Sequence, residues 1–408
     1  MNWVIVEDSL TDRAGHWFEY LLGFQNELKG LGDEVLFFVP KNASSEVLQK
    51  FASKAVLPGS IYRKLSDSAP TWRRYARVPW HGLKTYQAVS LSLESDNGIK
   101  FYFVPTATVH HLVGWYSLAK LRLKCQTVKV LLFFPGLPIT QDENGESLAK
   151  SHTAKLMRLI LRGLSKEVKA GKVILGVETE AMRYSGEKVF GLPFRYFPHP
   201  VQPVNRNFVF DNVTEDKKDI LIGCYGPGRY EKGSDVLVAA IELYLNRFPN
   251  TRARFVLQWV NDFRLPDGKM ACLPQAIKYH PRVEIIRRLF REGEYGQWLA
   301  RTDALALPYR RSSYGLRVSR VVIEALVNGL PVVVTRGTTL AQQAKEFGAA
   351  VECEDGDVEI LVSALRQLEE KVSALKMQSV EKAPLAIKHF SVEHFRELLV
   401  DAGVQNNQ

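Results

Sequence analysis

The sequence has few cysteines and no long apolar run. Its four cysteines are widely separated and show no paired spacing: Cys125, Cys224, Cys272 and Cys353. This pattern argues against a disulfide framework or a cysteine-based metal centre, and it fits a reducing compartment. No apolar segment approaches the roughly 20 residues of a membrane span. The first residues, MNWVIVEDSL, lack the basic flank and long apolar core of a secretory signal, so we expect a cytoplasmic protein.

Several motifs of nucleotide and metal chemistry are also absent. Gly226-Pro-Gly228 is not followed by the third glycine of a dinucleotide fingerprint, because position 231 is Glu231, and the chain has no Walker A sequence. No Asp-x-Asp pair follows a buried strand in a metal-site context. Asp355-Gly-Asp357 lies in an acidic loop that we interpret as a solvated turn. We therefore expect neither a metal ion nor a cofactor.

Strand-like and helix-like segments alternate along the 408 residues, which are too many for one hydrophobic core. Strands are predicted at Trp3–Val6, Glu34–Val39, Phe101–Val104, Val128–Phe134, Val173–Gly176, Arg195–Phe197, Ile220–Tyr225, Arg254–Val260, Val283–Ile286, Ala304–Leu307, Val332–Val334 and Ala350–Glu352. Such alternation predicts α/β domains with parallel sheets between layers of helices. We place an N-terminal domain at 1–200, a polar linker at 201–218, a second domain at 219–385, and a C-terminal helix with a polar tail at 386–408.

The segment Pro308–Thr335 combines a polar loop, a helix and a buried strand. The loop and the start of the helix contain Arg310, Arg311, Tyr314, Arg317, Ser319 and Arg320, which we expect to face the helix N-terminus, and the helix carries Glu324. A helix N-terminus exposes free N–H groups and partial positive charge, so arginines beside it favour an anion. A carboxylate one turn inside the helix instead accepts hydrogen bonds from sugar hydroxyls. A phosphate beside a polyol indicates a nucleotide, and we interpret the ligand as a nucleotide sugar.

A second motif follows the predicted strand Ile220–Tyr225. Gly226-Pro-Gly-Arg-Tyr-Glu-Lys-Gly233 joins this strand to a helix predicted at Ser234–Phe248. Arg229 and Lys232 thus provide two cations at a glycine-bearing strand end. Cations at such a place can neutralise the negative charge that builds on a leaving diphosphate.

Together the two segments resemble the donor-binding domain of retaining glycosyltransferases with the GT-B fold, in the glycogen-synthase-like group (glycosyltransferase family 4-like, group 1). The residues that carry the resemblance are Glu324-Ala325, Gly329-Leu330-Pro331-Val332, and Tyr314, Arg317 and Ser319, which match the Tyr-x-x-Arg-x-Ser-Gly of one subset. The chain departs from the group at Leu316, where many members have glutamate, and at Arg320, which replaces a glycine. The resemblance is firm over about 219–400 and loose over 1–200. It implies two Rossmann-like domains whose parallel sheets face a central cleft.

The resemblance also implies a reaction and roles for individual residues. The implied catalytic residues are Arg229, Lys232 and His111, the donor-binding residues are Gly15, Gly228, Tyr314, Arg317, Ser319, Arg320 and Glu324, and the acceptor-side residues are His16 and His110. The implied reaction moves a sugar from a nucleotide-diphosphate sugar to a glycan or lipid-linked acceptor, with retention and without a metal ion, in cell-surface polysaccharide or glycolipid synthesis. Two alternatives stay open. One is a non-catalytic sugar-nucleotide or glycan-binding protein, which Leu316 and Arg320 favour, and the other is a GT-B epimerase.

Positive charge is concentrated in the N-terminal half. Residues 1–200 contain 26 Lys and Arg against 18 Asp and Glu, which is +8 of the formal net charge of +10. The stretch Ile61–Tyr86 mixes arginines with aromatic residues, and a second basic run spans Lys155–Lys172. In that run, a face formed by Lys155, Arg158, Arg162, Lys166 and Lys169 is predicted to lie opposite Leu156, Leu159, Ile160 and Leu164.

Basic faces of this kind suit anionic lipid headgroups. We expect a peripheral position on the inner face of a membrane through Arg73, Arg74, Arg77, Lys155, Arg158 and Arg162. A basic surface that serves only solubility or a phosphorylated soluble acceptor is the alternative. No nucleic-acid-binding motif accompanies the charge, so we do not expect nucleic acid as a partner.

Overall fold

The chain consists of two compact α/β units. The computed structural model describes residues 1–13, 16–59, 71–93, 100–122, 128–141, 146–203, 219–291 and 293–404. The N-terminal unit comprises Met1–Pro200 together with Val392–Gln408, and the C-terminal unit comprises Val201–Ser391. Most of the predicted linker, residues 204–218, lies outside the described residues.

A parallel sheet forms the centre of the N-terminal unit. The strands of this unit are β1 (Asn2–Val6), β2 (Glu34–Pro40), β3 (Ser53–Leu57), β4 (Lys100–Val104), β5 (Val128–Phe134), β6 (Thr140–Gln141), β7 (Ser147–Leu148), β8 (Val173–Val177) and β9 (Arg195–Tyr196). The sheet order is β3-β2-β1-β4-β5-β8-β9, and β6 and β7 form a separate antiparallel pair. Val4 on β1 pairs with Leu36 on β2 and with Tyr102 on β4, so the carboxyl ends of these strands lie side by side.

Helices cover both faces of this sheet. They are α1 (His16–Gly30), α2 (Ser45–Lys50), α3 (Thr71–Leu93), α4 (Val109–Leu121), α5 (His152–Gly163), α6 (Ser165–Lys169) and α7 (Glu180–Phe190). Local residues define several ends. Ser151 accepts a hydrogen bond from the Ala154 N–H at the start of α5, and Gly191, at φ +70°, ends α7 in the left-handed conformation. Such caps satisfy N–H and C=O groups that a helix leaves unpaired.

A parallel sheet also forms the centre of the C-terminal unit. Its strands are β10 (Ile220–Cys224), β11 (Ala253–Gln258), β12 (Phe263–Arg264), β13 (Met270–Ala271), β14 (Val283–Ile286), β15 (Ala304–Leu307), β16 (Val332–Thr335) and β17 (Ala350–Cys353). The sheet order is β14-β11-β10-β15-β16-β17, with β12 and β13 as an antiparallel hairpin outside it. The order turns back between β10 and β15, and ligands of open α/β sheets bind beyond the carboxyl ends of strands at such a point.

The helices of the C-terminal unit follow its strands. They are α8 (Ser234–Arg247), α9 (Gln275–Lys278), α10 (Glu294–Arg301), α11 (Arg311–Tyr314), α12 (Arg320–Val327), α13 (Thr339–Phe347) and α14 (Val358–His389). A single 3₁₀ turn, Tyr230–Lys232, precedes α8. The apolar sides of α8 and α12 are buried in the two cores on either side of the sheet.

The last helix, α15 (Val392–Val404), belongs to the N-terminal unit. The ring centroid of Phe395 lies 5.6 Å from those of Phe24 and Phe103, and the Arg396 guanidinium donates to Asp33 at 2.6 and 2.9 Å. Burial would raise the pKa of Asp33, but hydrogen bonds from Arg396, the N-terminal amine and Trp3 outweigh it and lower the pKa to about 2. A buried ion pair thus supplements the aromatic contacts of this helix.

The two units confirm the predicted α/β class with parallel sheets in two domains. One local prediction is wrong. The basic run Lys155–Lys172 is broken at Leu164 into α5 and α6, and α5 buries Ala154, Met157 and Leu161 while leaving Leu156 and Leu159 exposed. No helix in the described part of the chain has both the length and the hydropathy needed to cross a bilayer.

Candidate functional site

The loop after β10 brings a lysine amine against a glycine backbone. Gly226 has φ +88°, and a Cβ at this position would overlap the Nζ atom of Lys232. The Gly226 N–H donates to Gln258 Oε1 at 2.7 Å, which fixes the loop to the end of β11. The positive φ favours glycine here, and the absence of a Cβ leaves room for the Lys232 amine in this position. The backbone of Gly233, at φ +62°, approaches the Pro308 carbonyl oxygen so closely that a Cβ would overlap it too.

Lys232 is positioned to meet an anion. Burial lowers the pKa of its ammonium and Arg229 acts in the same direction, whereas Cys224, Glu231 and Glu324 oppose this shift. Within the described chain no carboxylate forms an ion pair with Lys232, whose Nζ lies 5.8 Å from the centroid of the Tyr309 ring. A partly desolvated ammonium without a paired carboxylate is stabilised by a bound phosphate.

The Arg317 guanidinium lies near Tyr314, and the charge of Arg229 also acts on this tyrosine. The Tyr314 side chain is buried, with its ring centroid 4.6 Å from that of Tyr309, and the Arg317 guanidinium lies 5.6 Å from it. Burial raises the pKa of Tyr314, while Arg317 and Arg229 oppose the rise through their charges. The Thr339 hydroxyl donates to the carbonyl oxygens of Tyr314 and Arg317 and thereby holds this loop. The structure thus brings Arg229, Lys232, Tyr314 and Arg317 together, although the sequence places them in two segments.

Glu324 is buried with both carboxylate oxygens already engaged. Tyr295 donates from its hydroxyl to Oε2 at 2.6 Å, and Arg320 donates from Nε to Oε1 at 2.8 Å. Ser319 occupies the position before α12 without a side-chain capping bond, so the first N–H groups of that helix have no cap from it. If Glu324 accepts hydrogen bonds from sugar hydroxyls, as predicted, its two oxygens must do so while they also accept from Tyr295 and Arg320.

The sequence predicts that all the arginines of this loop face the N-terminus of α12. For two of them this prediction is wrong, because they bind acidic residues in other parts of the C-terminal unit. Arg310 donates to Asp235 at 2.7 Å and pairs with Asp355 at 3.7 Å. The Arg311 N–H donates to Asp355, and the Arg311 side chain donates to the Arg336 carbonyl oxygen. The acidic loop at 355–357 is the exposed turn that the sequence predicts, and its Asp355 also binds these two arginines. Its last residue, Asp357, also caps α14 by accepting from the Ile360 N–H.

At the carboxyl edge of the N-terminal sheet, Asp8 contacts two buried histidines. Asp8 Oδ2 lies 2.9 Å from His81 Nε2 and 3.3 Å from His111 Nε2. The Thr108 N–H donates to His111 Nδ1 at 3.1 Å, so the hydrogen of a neutral His111 ring lies on Nε2 and points to Asp8. Neighbouring Glu7 is fully buried, and burial together with the Asp8 charge raises its pKa to about 7 despite hydrogen bonds from Ser9 and Thr106.

The ligating atoms of Asp8, His81 and His111 lie within 4.8 Å of one another, a spacing that a metal ion can bridge. Metal-bound histidines, however, normally donate their second ring N–H to an acceptor. His111 does the reverse, because its Nδ1 accepts a backbone N–H. To bind a metal through Nε2 in this position, the ring would have to lose both hydrogens. The arrangement therefore fits a hydrogen-bonded cluster better than a metal centre.

For the other predicted site residues of the N-terminal unit, the structure shows few contacts or does not describe the side chain. His110 Nδ1 lies 3.4 Å from the Thr108 hydroxyl at the start of α4. Gly15 and the side chain of His16 lie outside the described residues, as do the side chains of Arg73, Arg74 and Arg77. Gly228, in the C-terminal unit, packs against the Trp259 ring, which a Cβ would approach to 3.1 Å.

Sequence reasoning misses Tyr295, Tyr309 and Gln258, which complete the site around Lys232 and Glu324. Two of them lie at the carboxyl ends of strands of the sheet and the third lies on a helix. Gln258 ends β11, Tyr309 follows β15 two residues later, and Tyr295 is the second residue of α10. Polar or aromatic residues at the carboxyl ends of neighbouring strands are the signal that could have identified the first two.

Comparisons with known proteins agree with this architecture. Residues 219–371 match the model of the family described as glycosyl transferases group 1. The sucrose-phosphate synthase of Thermosynechococcus elongatus is 14% identical, with a TM-score of 0.62 over 100% of this chain and 99% of that chain. A glycosyltransferase from Rickettsia africae is 11% identical, with a TM-score of 0.66 over 100% and 99%. HepE from Anabaena, solved with UDP and glucose, is 12% identical, with a TM-score of 0.61 over 98% of both chains.

No curated protein is significantly similar to this chain in sequence. At such low identity, the solved structures show the fold alone. The chain therefore has the fold of GT-B glycosyltransferases that its sequence predicts, and residues 219–371 of its C-terminal unit match the group 1 glycosyltransferase model.

Proposed function

We propose that this protein is a retaining glycosyltransferase that uses a nucleotide-diphosphate sugar as donor. The observation that carries the proposal is the placement of Lys232 and Arg229 after β10, in a domain of the group 1 type. Gly226 leaves room for the Lys232 amine, and Arg317 adds a third cation near Tyr314. A diphosphate is the ligand whose charge matches such a cluster.

The proposed reaction breaks the bond between the anomeric carbon and the phosphate oxygen, and the electron pair of that bond stays on the phosphate. Lys232 and Arg229 stabilise this developing charge. The acceptor hydroxyl oxygen forms the new bond on the same face of the sugar, and its proton passes to an oxygen of the leaving phosphate. No protein nucleophile is required. Retention rests on the family resemblance and not on the spacing of these residues.

The remaining site residues are assigned in the same proposal. Gly15, Gly228, Tyr314, Arg317, Ser319, Arg320 and Glu324 bind the donor, His111 assists catalysis, and His16 and His110 lie on the acceptor side. That HepE was solved with UDP-glucose supports a nucleoside-diphosphate hexose as the donor. We propose a glycan or lipid-linked sugar as the acceptor, in polysaccharide or glycolipid synthesis, with neither a metal ion nor a cofactor taking part.

One observation favours a second candidate, a sugar-nucleotide-binding protein without turnover. Glu324, the predicted sugar-hydroxyl acceptor, is engaged by Arg320 and Tyr295, and Leu316 stands where many relatives have a glutamate. Such a protein would bind nucleotide sugars without transferring the sugar. A GT-B epimerase, which would isomerise the sugar nucleotide, is the third candidate.

A ligand screen followed by turnover measurements distinguishes these candidates. UDP-, GDP-, ADP- and dTDP-sugars are tested by thermal shift, because a ligand at ~100 times its Kd stabilises the folded state by about 2.7 kcal/mol. Each ligand that binds is then incubated with glycan and lipid-linked acceptors, with and without EDTA. Release of free nucleoside diphosphate with sugar transfer, and an unchanged anomeric configuration by NMR, is the expected result. Binding without release supports the second candidate, an isomerised sugar supports the third, and the absence of any stabilising nucleotide sugar contradicts all three.

A further inference from the structure

Three helices of the N-terminal unit carry positive charge and no negative charge. The 23 residues of α3, the 13 of α4 and the 12 of α5 contain eight Lys and Arg and no Asp or Glu. Surfaces of globular proteins normally mix both signs. Folding therefore does not require these three helices to carry positive charge alone.

The three helices pack side by side and form one continuous layer. The backbones of α3 and α4 nearly touch, because a Cβ on Gly82 would lie 2.9 Å from the Gly114 nitrogen. The α4–α5 contact is made through a side chain, since a Cβ on Gly163 would lie 2.6 Å from the Tyr116 ring. The exposed cations Lys84 on α3 and Lys155 and Arg162 on α5 thus belong to one layer of helices.

This layer exposes large apolar side chains among its cations. Trp80 and Leu83 on α3 are 54% and 52% exposed, and Leu159 on α5 is 69% exposed. On α3, positions 80, 83, 84, 87 and 91 recur at helical spacing and are all exposed, so Trp80, Leu83 and Leu91 flank Lys84 on one face. Exposed leucines in such numbers usually mark a binding surface.

Two of the three cations on α5, Lys155 and Arg162, can meet an external anion. Within the described chain, neither Lys155 nor Arg162 forms an ion pair, and both are exposed. Two neighbouring cations differ. Arg158 donates to the Val189 carbonyl oxygen, and Lys120 pairs with Glu167. The expectation for Arg158 as a lipid contact is therefore weaker than that for Lys155 and Arg162.

We propose that the layer of α3, α4 and α5 is a docking face for an anionic lipid bilayer. Lys84, Lys155 and Arg162 meet the headgroups, and Trp80, Leu83 and Leu159 enter the boundary between headgroups and acyl chains. Nucleic acid would meet the same cations but would gain nothing from exposed leucines. This inference extends the proposed function by bringing the enzyme to a lipid-linked acceptor, although the docking itself requires no glycosyl transfer.

Cosedimentation of the full chain with vesicles tests the proposal. The vesicles contain phosphatidylcholine alone or with phosphatidylglycerol, and the salt concentration is varied. We expect binding to the anionic vesicles at least tenfold tighter than to the neutral ones, weakening as salt rises. The double variant Lys155→Glu/Arg162→Glu should lose at least tenfold in affinity. Leu159→Ser should weaken binding severalfold, including at high salt, because apolar insertion is not screened.

A matched control carries the same change in net charge in the C-terminal unit. Arg264→Glu/Lys371→Glu reverses two exposed cations there and should bind vesicles like the wild type. Thermal unfolding of each variant without ligand checks that all variants are folded. Because this check and the vesicle assay need no nucleotide, failure of docking stays distinct from failure of the proposed reaction. Equal binding to neutral and anionic vesicles, equal losses in the control, or binding to duplex DNA in place of vesicles would each overturn the proposal.

Discussion

Replacing Gly226 by alanine tests the arrangement around Lys232 most directly. An alanine at φ +88° is strained by about 1–2 kcal/mol, and its Cβ would occupy the place of the Lys232 amine. The lysine side chain is flexible, so it would move away and leave the diphosphate without its nearest cation. We expect kcat/KM to fall about 10²-fold, equivalent to about 2.7 kcal/mol of lost transition-state stabilisation.

Gly268 provides a control with the same strain and no clash. Its φ is +87°, and a Cβ there would meet no atom within 4 Å. It lies in the β12–β13 hairpin of the same unit. Gly268→Ala should therefore lower the Tm about as much as Gly226→Ala, by roughly 2–4 °C for each kcal/mol of strain, while leaving turnover unchanged.

The assay measures kcat/KM with the identified donor, together with the Tm of each variant. Gly226→Ala/Lys232→Ala should be no slower than Lys232→Ala alone, because the clash acts only through the lysine. Wild-type turnover in Gly226→Ala, or an equal loss of turnover in Gly268→Ala, would refute the assignment of Lys232 to the diphosphate.

Three further predictions concern the charges of the two units. Lys232→Ala and Arg229→Ala should each lower kcat/KM at least 10²-fold, and near-normal turnover in both would remove them from the site. Arg320→Gly frees Glu324 Oε1 and should raise the preference for UDP over 2′-deoxy-UDP about tenfold in calorimetry, while Glu324→Ala should weaken donor binding and abolish this preference. The pKa of Asp33 falls from 3.8 to about 2 on folding, so its stabilisation is fully present above pH 4 and is lost as pH falls through 2. Asp33→Asn should therefore lower the free energy of unfolding by about 2 kcal/mol at pH 7. The midpoint of urea unfolding should also fall less steeply at acidic pH in this variant than in the wild type. The same fall in both proteins would contradict the pairing with Arg396.

Buried strands are predictable from this sequence, and exposed or interrupted elements are less so. The predicted strands Val128–Phe134, Val283–Ile286 and Ala304–Leu307 coincide with β5, β14 and β15. A parallel strand covered by helices on both faces is a continuous apolar run, so it can be recognised in the sequence. The edge strand β3 is not predicted, because its central residues are exposed and its sequence does not alternate. The long helix α3 is likewise hard to predict from the sequence, because it contains Pro79 and proline normally interrupts a helix.

Local motifs of the site are also predictable, but the partners of its charged residues are not. The glycine-rich loop with Lys232 and the helix with Glu324 each lie within one continuous segment. Arg310, by contrast, pairs with Asp235, which lies 75 residues away in sequence, and with Asp355. From sequence alone, every arginine near a helix N-terminus is a candidate for binding an anion. Only the fold separates the arginines that hold the loop from those that face a ligand.

Arg320 is the exception, because its partner Glu324 lies four residues further along the same helix. This spacing places the two side chains next to each other on α12. Glu324 also influences the pKa of Lys232, so an unpaired carboxylate at this position would oppose a diphosphate on the same lysine. Arg320 neutralises that carboxylate. The charges that act on Tyr314 are then those of Arg317 and Arg229, opposed by Glu231, which pairs with Arg229 at 3.5 Å. In the group that this sequence resembles, the position of Arg320 is a glycine. We therefore expect Arg320 to favour phosphate binding over recognition of the ribose hydroxyls. A donor site in this chain can consequently depend more on its diphosphate than on its ribose.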